Sequence, residues 1–177
     1  MSADRNDRRE ADPMAVDPAT LYRLVNAEDL DGVLALVSVD EIAAAWCQMS
    51  VRQSRGDVPS ATDESDWFST DPHWWALEFW WLASGRELLP AREDLARDLL
   101  IAMVAHAPSD AVLLHIGAGP FEEFIRPDED RVRWIEQQAN ASSKFRTALA
   151  NVRIWDEPSW VFDRVQGAAG VPLARPR

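Results

Sequence analysis

The sequence is poor in cysteine, in glycine and in one of the two basic residues. Its 177 residues contain one cysteine, Cys47, and seven glycines, and a single lysine, Lys144, stands among 18 basic side chains. One cysteine cannot form an intrachain disulfide, and it cannot supply a cysteine-based metal cluster. A chain without disulfides suits the reducing cytoplasm. We therefore expect a cytoplasmic protein. A length of 177 residues also suits a single domain.

Signals for strands, repeats and membrane spans are also scarce. No segment alternates apolar and polar residues convincingly, and the chain has no fixed internal period. No apolar segment follows the first residues, so no secretory signal is expected. These absences argue against a sheet protein, a repeat protein and a membrane protein.

The charge of the chain is strongly negative. The formal net charge is −12, from 30 acidic and 18 basic residues. Phosphate backbones repel such a chain, which argues against nucleic-acid binding, whereas a basic protein would be attracted. Five acids and no base lie between Arg23 and Arg52, and six acids and no base lie between Arg55 and Arg86. This pattern predicts an acidic face on the N-terminal half.

Helix start and stop signals recur at short intervals along the chain. The predicted caps or first residues are Asp17, Asp40, Asp71, Pro90, Ser109 or Asp110, Pro120 and Asp128, and the predicted ends include Gly56, Gly85 and Gly117. The sequence therefore predicts an all-α domain of about nine or ten short antiparallel helices over residues 13–167. Residues 1–12 and 168–177 are predicted to be flexible tails. A solenoid-like pairing of the helices stays open.

One predicted helix, in the segment DPHWWALEFWWLAS, contains four tryptophans within eight residues. At 100° per residue these side chains point in all directions, and a helix that is apolar on every side is normally buried. The apolar run from Trp74 to Ala83 is too short to cross a membrane and lacks basic flanks. We expect a central core helix. An aromatic binding groove is the alternative, since exposed tryptophans mark interfaces.

Glu78 is the only charged residue in this apolar run, and it shares a helix face with Trp74 and Trp81. A buried carboxylate needs an arginine, an indole N–H or a water as partner, or it keeps its proton. The structural interpretation is a paired core carboxylate, and the functional one is an acid in an aromatic pocket. Glu78, Trp74 and Trp81 are therefore candidate binding residues.

The segment 57–71 is acidic, contains no base and is predicted to be a loop. Asp63, Glu64 and Asp66 in this loop are candidate binding residues on the acidic face. The loop lacks the regular ligand spacing and the glycine turn of a calcium loop, so a solvated loop is favoured over a metal site. No two of the three histidines have the spacing of zinc ligands. We expect neither a metal nor a cofactor.

The glycines of HIGAGPFEEF do not form a nucleotide-binding fingerprint, because a third glycine in phase and a preceding strand are missing. Gly117 is predicted to end one helix and Pro120 to begin the next. Glu122 and Glu123 are then predicted only to stabilise the first turn of that helix. No nucleophile–base pattern is apparent elsewhere, and Cys47 is expected to be buried and inert.

The last third of the chain carries a series of short motifs. They are Gly117, Gly119, Pro120 and Glu122 in a turn, the pair Ile135 and Glu136, then Phe145, Ala148 and Leu149, and the closing Trp155 and Trp160. This series resembles that of a family of bacterial all-helical proteins without an assigned activity. The resemblance implies a compact helical fold and names no substrate.

Three functions stay open. The charge and the lack of catalytic motifs favour a non-catalytic acidic protein that docks a basic protein partner, in the manner of an immunity protein or antitoxin. An aromatic pocket around Glu78 would instead suit a small-molecule binder or a hydrolase. Exposed aromatic residues would suit a structural subunit that associates with itself.

Overall fold

A computed structural model of the chain describes residues 16–56, 71–85, 91–155 and 157–174. The predicted N-terminal tail, Pro90 and the loop residues Asp63, Glu64 and Asp66 lie outside these ranges. The helices are α1 (Pro18–Asn26), α2 (Leu30–Leu34), α3 (Val39–Arg55), α4 (Trp74–Ser84), α5 (Glu93–His106), α6 (Asp110–Ile116), a π-helical turn (Gly117–Phe121), α7 (Glu122–Phe124), α8 (Glu129–Ala141), α9 (Ser143–Leu149) and α10 (Ser159–Ala169). The described ranges contain no strand, so the all-α prediction is confirmed. None of their helices combines the length and apolarity needed to cross a bilayer.

Side-chain caps determine where several of these helices begin. Three start as predicted, at the N-caps Asp17, Ser109 and Asp128. Helix α3 differs, because its N-cap is Ser38 and the predicted cap at Asp40 is wrong. The Ser38 hydroxyl accepts a hydrogen bond from the Glu41 backbone N–H, and the Glu41 carboxylate accepts one from the Ser38 N–H. This reciprocal capping box outweighs a lone aspartate.

The predicted cap at Asp71 is also wrong, because α4 begins at Trp74 and Asp71 has other partners. The buried Asp71 carboxylate accepts hydrogen bonds from the His73 backbone N–H at 2.8 Å and from Arg52 Nε at 3.0 Å. Arg52 Nη2 also lies 2.7 Å from His73 Nδ1. A guanidinium can only donate, so His73 accepts and carries its proton on Nε2. This cluster ties the start of α4 to the end of α3.

Helix α4 lies in the core of the N-terminal half, in contact with α1, α2, α3 and α5. Trp74, Trp75 and Trp80 are buried, and Trp81 is half-buried. The prediction of a core helix is therefore confirmed. The helix ends, as predicted, at Gly85, whose φ of 80° lies in the left-handed region that glycine tolerates best.

The C-terminal helices pack around α9, which contacts α5, α6, α8, α10 and the π-helical turn. Phe145 on α9 is buried at the centre of this group. Its ring packs edge-to-face against Phe121 at a centroid distance of 4.7 Å and against Trp134 at 5.6 Å. Such pairs contribute beyond the area that they bury. The π-helical turn is thereby fixed to α9.

The packed part of the chain extends further towards the C-terminus than predicted. Helix α10 continues to Ala169, and Gly170 ends it with a φ of 71°. Leu173 is then buried, and its backbone N–H donates to the Gln166 side chain at 3.1 Å. The predicted domain boundary at residue 167 therefore falls inside a helix.

Candidate functional site

The π-helical turn replaces a predicted break between two helices. Gly117 has a φ of −61° and a ψ of −53°, so the chain stays helical at this residue. Pro120 lies inside the turn and does not begin a new helix. The predicted end of an α-helix at Gly117 is confirmed, since α6 stops at Ile116, but no break follows it, and the predicted helix start at Pro120 is wrong. Such π-helical turns are rare and often occur at functional sites.

Gly117 is required here by a close approach to α9. A Cβ atom at this position would lie 2.1 Å from the backbone oxygen of Ala148, which is an impossible contact. The Asn151 side-chain amide, just beyond α9, also donates to the Leu114 backbone oxygen at 3.0 Å. Because Gly117 has no side chain, the π-helical turn can pack directly on α9.

Glu123 follows the turn and accepts hydrogen bonds from two adjacent tryptophans of α4. Trp80 Nε1 donates to Oε2 at 2.6 Å, and Trp81 Nε1 donates to Oε1 at 3.0 Å. Because the two bonds end on different oxygens, they fix the orientation of the carboxylate. The prediction that Glu123 serves only the helix dipole is wrong.

Glu122 also makes a long-range contact. Its Oε1 accepts a hydrogen bond from the Arg153 backbone N–H at 2.8 Å. Burial raises the pKa of Glu122, and the Arg153 N–H opposes this rise. The predicted role of Glu122 at a helix start is therefore incomplete, since its carboxylate also holds the segment after α9.

A pocket of about 260 Å³ lies between α3, α4 and the π-helical turn. Its lining consists of Trp46, Met49, Gln53, Leu77, Trp81, His115, Ala118, Gly119, Pro120 and Glu123. Sites for drug-sized ligands occupy roughly 300–1,000 Å³. This pocket therefore suits a compact molecule or a single side chain.

His115 is positioned at this pocket by a buried serine. Its Nδ1 and the Ser50 Oγ are 2.8 Å apart and share a hydrogen bond. This bond leaves Nε2 as the ring nitrogen that can serve a ligand. Ser50 is 1% exposed and does not line the pocket, so it orients the imidazole and is not an accessible nucleophile. His106 does not line this pocket, and its Nε2 lies 3.2 Å from the Asp40 carboxylate.

Trp46 lines the same pocket and also has a buried hydrogen-bond donor. The residue is 4% exposed, and its Nε1 has no hydrogen-bond partner among the described residues. Trp75 on α4 has the same unpaired N–H and lines a different pocket, of about 180 Å³, beside Tyr22 and Asp71. Leaving a buried donor unpaired costs about 1–3 kcal/mol. This nitrogen is inaccessible from the pocket, so Trp46 lines the pocket with its ring and not with its N–H.

The structure keeps the three candidate residues of α4 in contact with one another, but only one of them lines the pocket. Glu78 is half-buried and accepts a hydrogen bond from Trp74 Nε1 at 3.1 Å, which is one of the partners considered for it. Trp74 and Trp81 pack edge-to-face at 6.2 Å. Of these three residues, only Trp81 lines the pocket beside Glu123.

Three residues of the pocket were not identified from the sequence. Trp46 has the helical spacing of an ordinary core residue, and His115 and Glu123 lie in segments that suggested caps and helix ends. No local motif joins them, because they come from separate parts of the chain. Within the described ranges, no group of three or more histidine, cysteine or acidic side chains is arranged to hold a metal.

Comparisons with known proteins do not identify the chain. No family model, no curated protein and no solved structure matches it. The resemblance of its last third to a bacterial helical family therefore stays a prediction. The function has to be argued from the site itself.

Proposed function

We propose that this protein binds a small organic ligand in the pocket lined by Trp46, Trp81, His115 and Glu123. The observation that carries the proposal is the lining itself, in which the rings of Trp46 and Trp81 stand beside His115 and Glu123 around a space of about 260 Å³. Aromatic walls with a few polar groups are the usual composition of such sites.

The polar groups of the pocket are held in place before a ligand arrives. Two indole N–H groups orient Glu123, and Ser50 orients the ring of His115. The backbone of the turn is fixed because Gly117 packs on α9. Preorganisation of this kind raises affinity, since little conformational freedom is lost on binding.

The arrangement supports binding in preference to catalysis. None of the described residues that line the pocket is a serine, a threonine or a cysteine. Cys47 follows the pocket residue Trp46 in the sequence, but it is buried and donates a hydrogen bond to the Met103 backbone oxygen. Burial raises the pKa of its thiol to about 12, so the reactive thiolate does not form near neutral pH.

The proposal is tested by titrating ¹⁵N-labelled protein with a library of small fragments while the indole N–H resonances are recorded. We expect some fragments to shift the Trp46 resonance and to leave the Trp75 resonance unchanged. The variants Trp46→Phe and Trp75→Phe assign the two signals, and Trp75→Phe should retain binding. If no fragment shifts the Trp46 resonance at millimolar concentration, the proposal is wrong.

Docking of a basic protein partner is a second candidate, and the exposure of the N-terminal carboxylates favours it. All five acids between Arg23 and Arg52 are exposed, namely Glu28, Asp29, Asp31, Asp40 and Glu41. Some of them also have intramolecular partners. Asp31 lies 2.6 Å from Arg92, and hydrogen bonds from Ser38 lower the pKa of Glu41. Asp40 lies 3.2 Å from His106 and forms no described ion pair with an arginine or a lysine, so Glu28 and Asp40 are the better positions for a test.

The docking proposal is tested with the double variant Glu28→Gln, Asp40→Asn. A partner captured from the native host at low salt should dissociate at high salt and should bind this variant more weakly. The matched control is Glu157→Gln, Asp163→Asn, which removes the same charge near the C-terminus. Equal weakening by both variants would show that only the net charge matters. The absence of any partner that dissociates at high salt would contradict the proposal.

A further inference from the structure

We infer that His115 presents an N–H donor at Nε2 to the pocket and thereby selects a neutral ligand with a carbonyl oxygen, an inference that rests on the proposed function. Three observations support it: the hydrogen bonding of Ser50, the accessibility of His115 Nε2 and the position of His115 in the lining. None of them depends on the partners of Glu123 or on the two tryptophan walls.

The buried Ser50 hydroxyl determines which nitrogen of His115 carries the proton. Ser50 is 1% exposed, and within the described ranges its Oγ has one hydrogen-bond partner, His115 Nδ1, at 2.8 Å. If Nδ1 carried the proton and donated it to Oγ, the Ser50 hydroxyl proton would be buried without an acceptor, which is the less stable arrangement. The hydroxyl therefore donates, Nδ1 accepts, and the neutral imidazole carries its proton on Nε2.

The protonated nitrogen of His115 is accessible, in contrast to the indole nitrogen of Trp46. In the described part of the chain, the buried side-chain nitrogens and oxygens that lack a partner are Trp46 Nε1 and Trp75 Nε1. His115 Nε2 also lacks a partner there, and because it is not one of these buried atoms, solvent reaches it. His115 lines the pocket and Ser50 does not, so the ring turns Nδ1 away from the pocket. Nε2 is therefore the nitrogen available to a ligand.

Gln53 lines the same pocket without imposing a preference of its own. It lies one turn beyond Ser50 on α3, and its amide can both donate and accept. Gln53 therefore suits ligands of either kind, whereas the fold fixes His115 as a donor. The formal net charge of −12 favours a neutral carbonyl compound over a carboxylate, because the chain repels anions.

The first measurement is the tautomer of His115, which requires no ligand. Long-range ¹H–¹⁵N NMR spectra of the labelled protein at pH 8 distinguish a ring protonated on Nε2 from one protonated on Nδ1. We expect His115 in the Nε2–H form, and the variant His115→Gln assigns its signals. A His115 ring that is protonated on Nδ1 overturns the inference and leaves the proposed function intact.

The second measurement compares cyclopentanone with pyrrole, which are both compact five-membered rings. Cyclopentanone can only accept a hydrogen bond, whereas pyrrole can only donate one. We expect cyclopentanone to bind about tenfold more tightly, the ratio that one additional hydrogen bond supplies, and to shift the ring resonances of His115. Equal binding, tighter binding of pyrrole, or binding of other fragments alone overturns the inference and leaves the proposed function intact. If no fragment of any class binds, the proposed function itself fails.

Variants locate the preference on the imidazole. His115→Phe keeps a ring but removes the donor, and it should reduce the tenfold preference to nearly onefold. His106→Phe is the matched control and should retain the preference, because His106 does not line the pocket. The double variant Ser50→Ala, His115→Phe removes both hydrogen-bond partners, so no hydroxyl is left unpaired, and it keeps the test valid if His115→Phe fails to fold. A folded protein without the His115 imidazole that retains the full preference overturns the inference.

Discussion

Helix α4 donates indole N–H groups to two glutamates in two different ways. Trp74 donates to Glu78, which lies one turn further along the same helix, at 3.1 Å. Trp80 and Trp81 donate to Glu123, which is 43 and 42 residues away in the sequence. The first contact needs only the helix, whereas the second exists only after the π-helical turn has packed on α4. The same two groups, an indole N–H and a carboxylate, thus form a contact within one helix in the first case and join two parts of the fold in the second.

The difference also explains where the pocket lies. Helical geometry alone sets the distance between Glu78 and Trp74, so their contact shapes no space between elements. Glu123 brings a carboxylate from a distant segment against the tryptophans, and the gap beside that contact is the pocket. A site made from several elements therefore depends on long-range contacts. The comparison predicts that the distant contacts stabilise the fold more than the local ones.

The largest effect is expected from replacing Glu123, with the replacement of Glu78 as the comparison. Glu123→Ala should lower the free energy of unfolding by about 2–4 kcal/mol, because two indole donors lose their acceptor and one belongs to the fully buried Trp80. Glu78→Ala should lower it by less, because its pair with Trp74 is an ordinary pair one turn apart, worth about 0.5 kcal/mol or less. Urea denaturation followed by tryptophan fluorescence measures both values. Equal losses would contradict the distinction between the two contacts.

A smaller effect is expected within the π-helical turn itself. Gly117→Ala should lower the free energy of unfolding by about 1–3 kcal/mol, because the new Cβ meets the Ala148 backbone oxygen and the turn must shift. Gly119→Ala is the matched control, since a Cβ at that position has no heavy atom within 4 Å. It should leave stability unchanged or raise it slightly, because alanine restricts the unfolded chain.

The measurement for this pair is the urea midpoint together with the indole spectrum. Only Gly117→Ala should move the resonances of Trp80 and Trp81, because a displaced turn carries Glu123 with it. A Gly117→Ala protein with the stability of Gly119→Ala would show that the turn can move away from α9 at no cost.

Local rules were sufficient for much of the helical framework. The caps at Asp17 and Asp128 and the buried stripe of Val132, Ile135 and Ala139 follow from capping and helical periodicity, which act within a few residues. The error at the start of α3 was also local, because Ser38 is followed by a glutamate at the third position, which is the capping-box signal.

The candidate site could not be predicted in the same way. Gly117 has the sequence context of a helix end, and the Ala148 oxygen that makes glycine necessary lies on α9. Glu123 has the context of a helix start, and its partners are on α4. In both cases the deciding contact joins residues that are distant in sequence, which propensity and spacing do not encode.

The smallest effect concerns two arginines that form ion pairs with the same helix, α8. Arg164 on α10 donates two hydrogen bonds to Glu136, at 2.8 and 2.6 Å, and one to Glu129 at 2.6 Å. Arg133 lies on α8 itself and pairs with Asp130 at 2.7 Å. The first arginine joins two helices and the second joins neighbours on one helix, as in the comparison of Glu123 with Glu78.

Arg164→Gln should lower the free energy of unfolding at pH 7 by about 1 kcal/mol, since water screens a pair that is roughly one-third exposed. Arg133→Gln should lower it by about 0.2–0.5 kcal/mol. The hydrogen bond from Arg164 lowers the pKa of Glu136, so this contribution is complete above the ordinary glutamate pKa of 4.5 and disappears as the pH falls through the lowered value. Urea denaturation at pH 7 and pH 3 should therefore show a deficit for Arg164→Gln that is much smaller at the lower pH. A deficit of the same size at both values would mean that Arg164 stabilises α10 through its packing on Trp160, 5.9 Å away, and not through the ion pair.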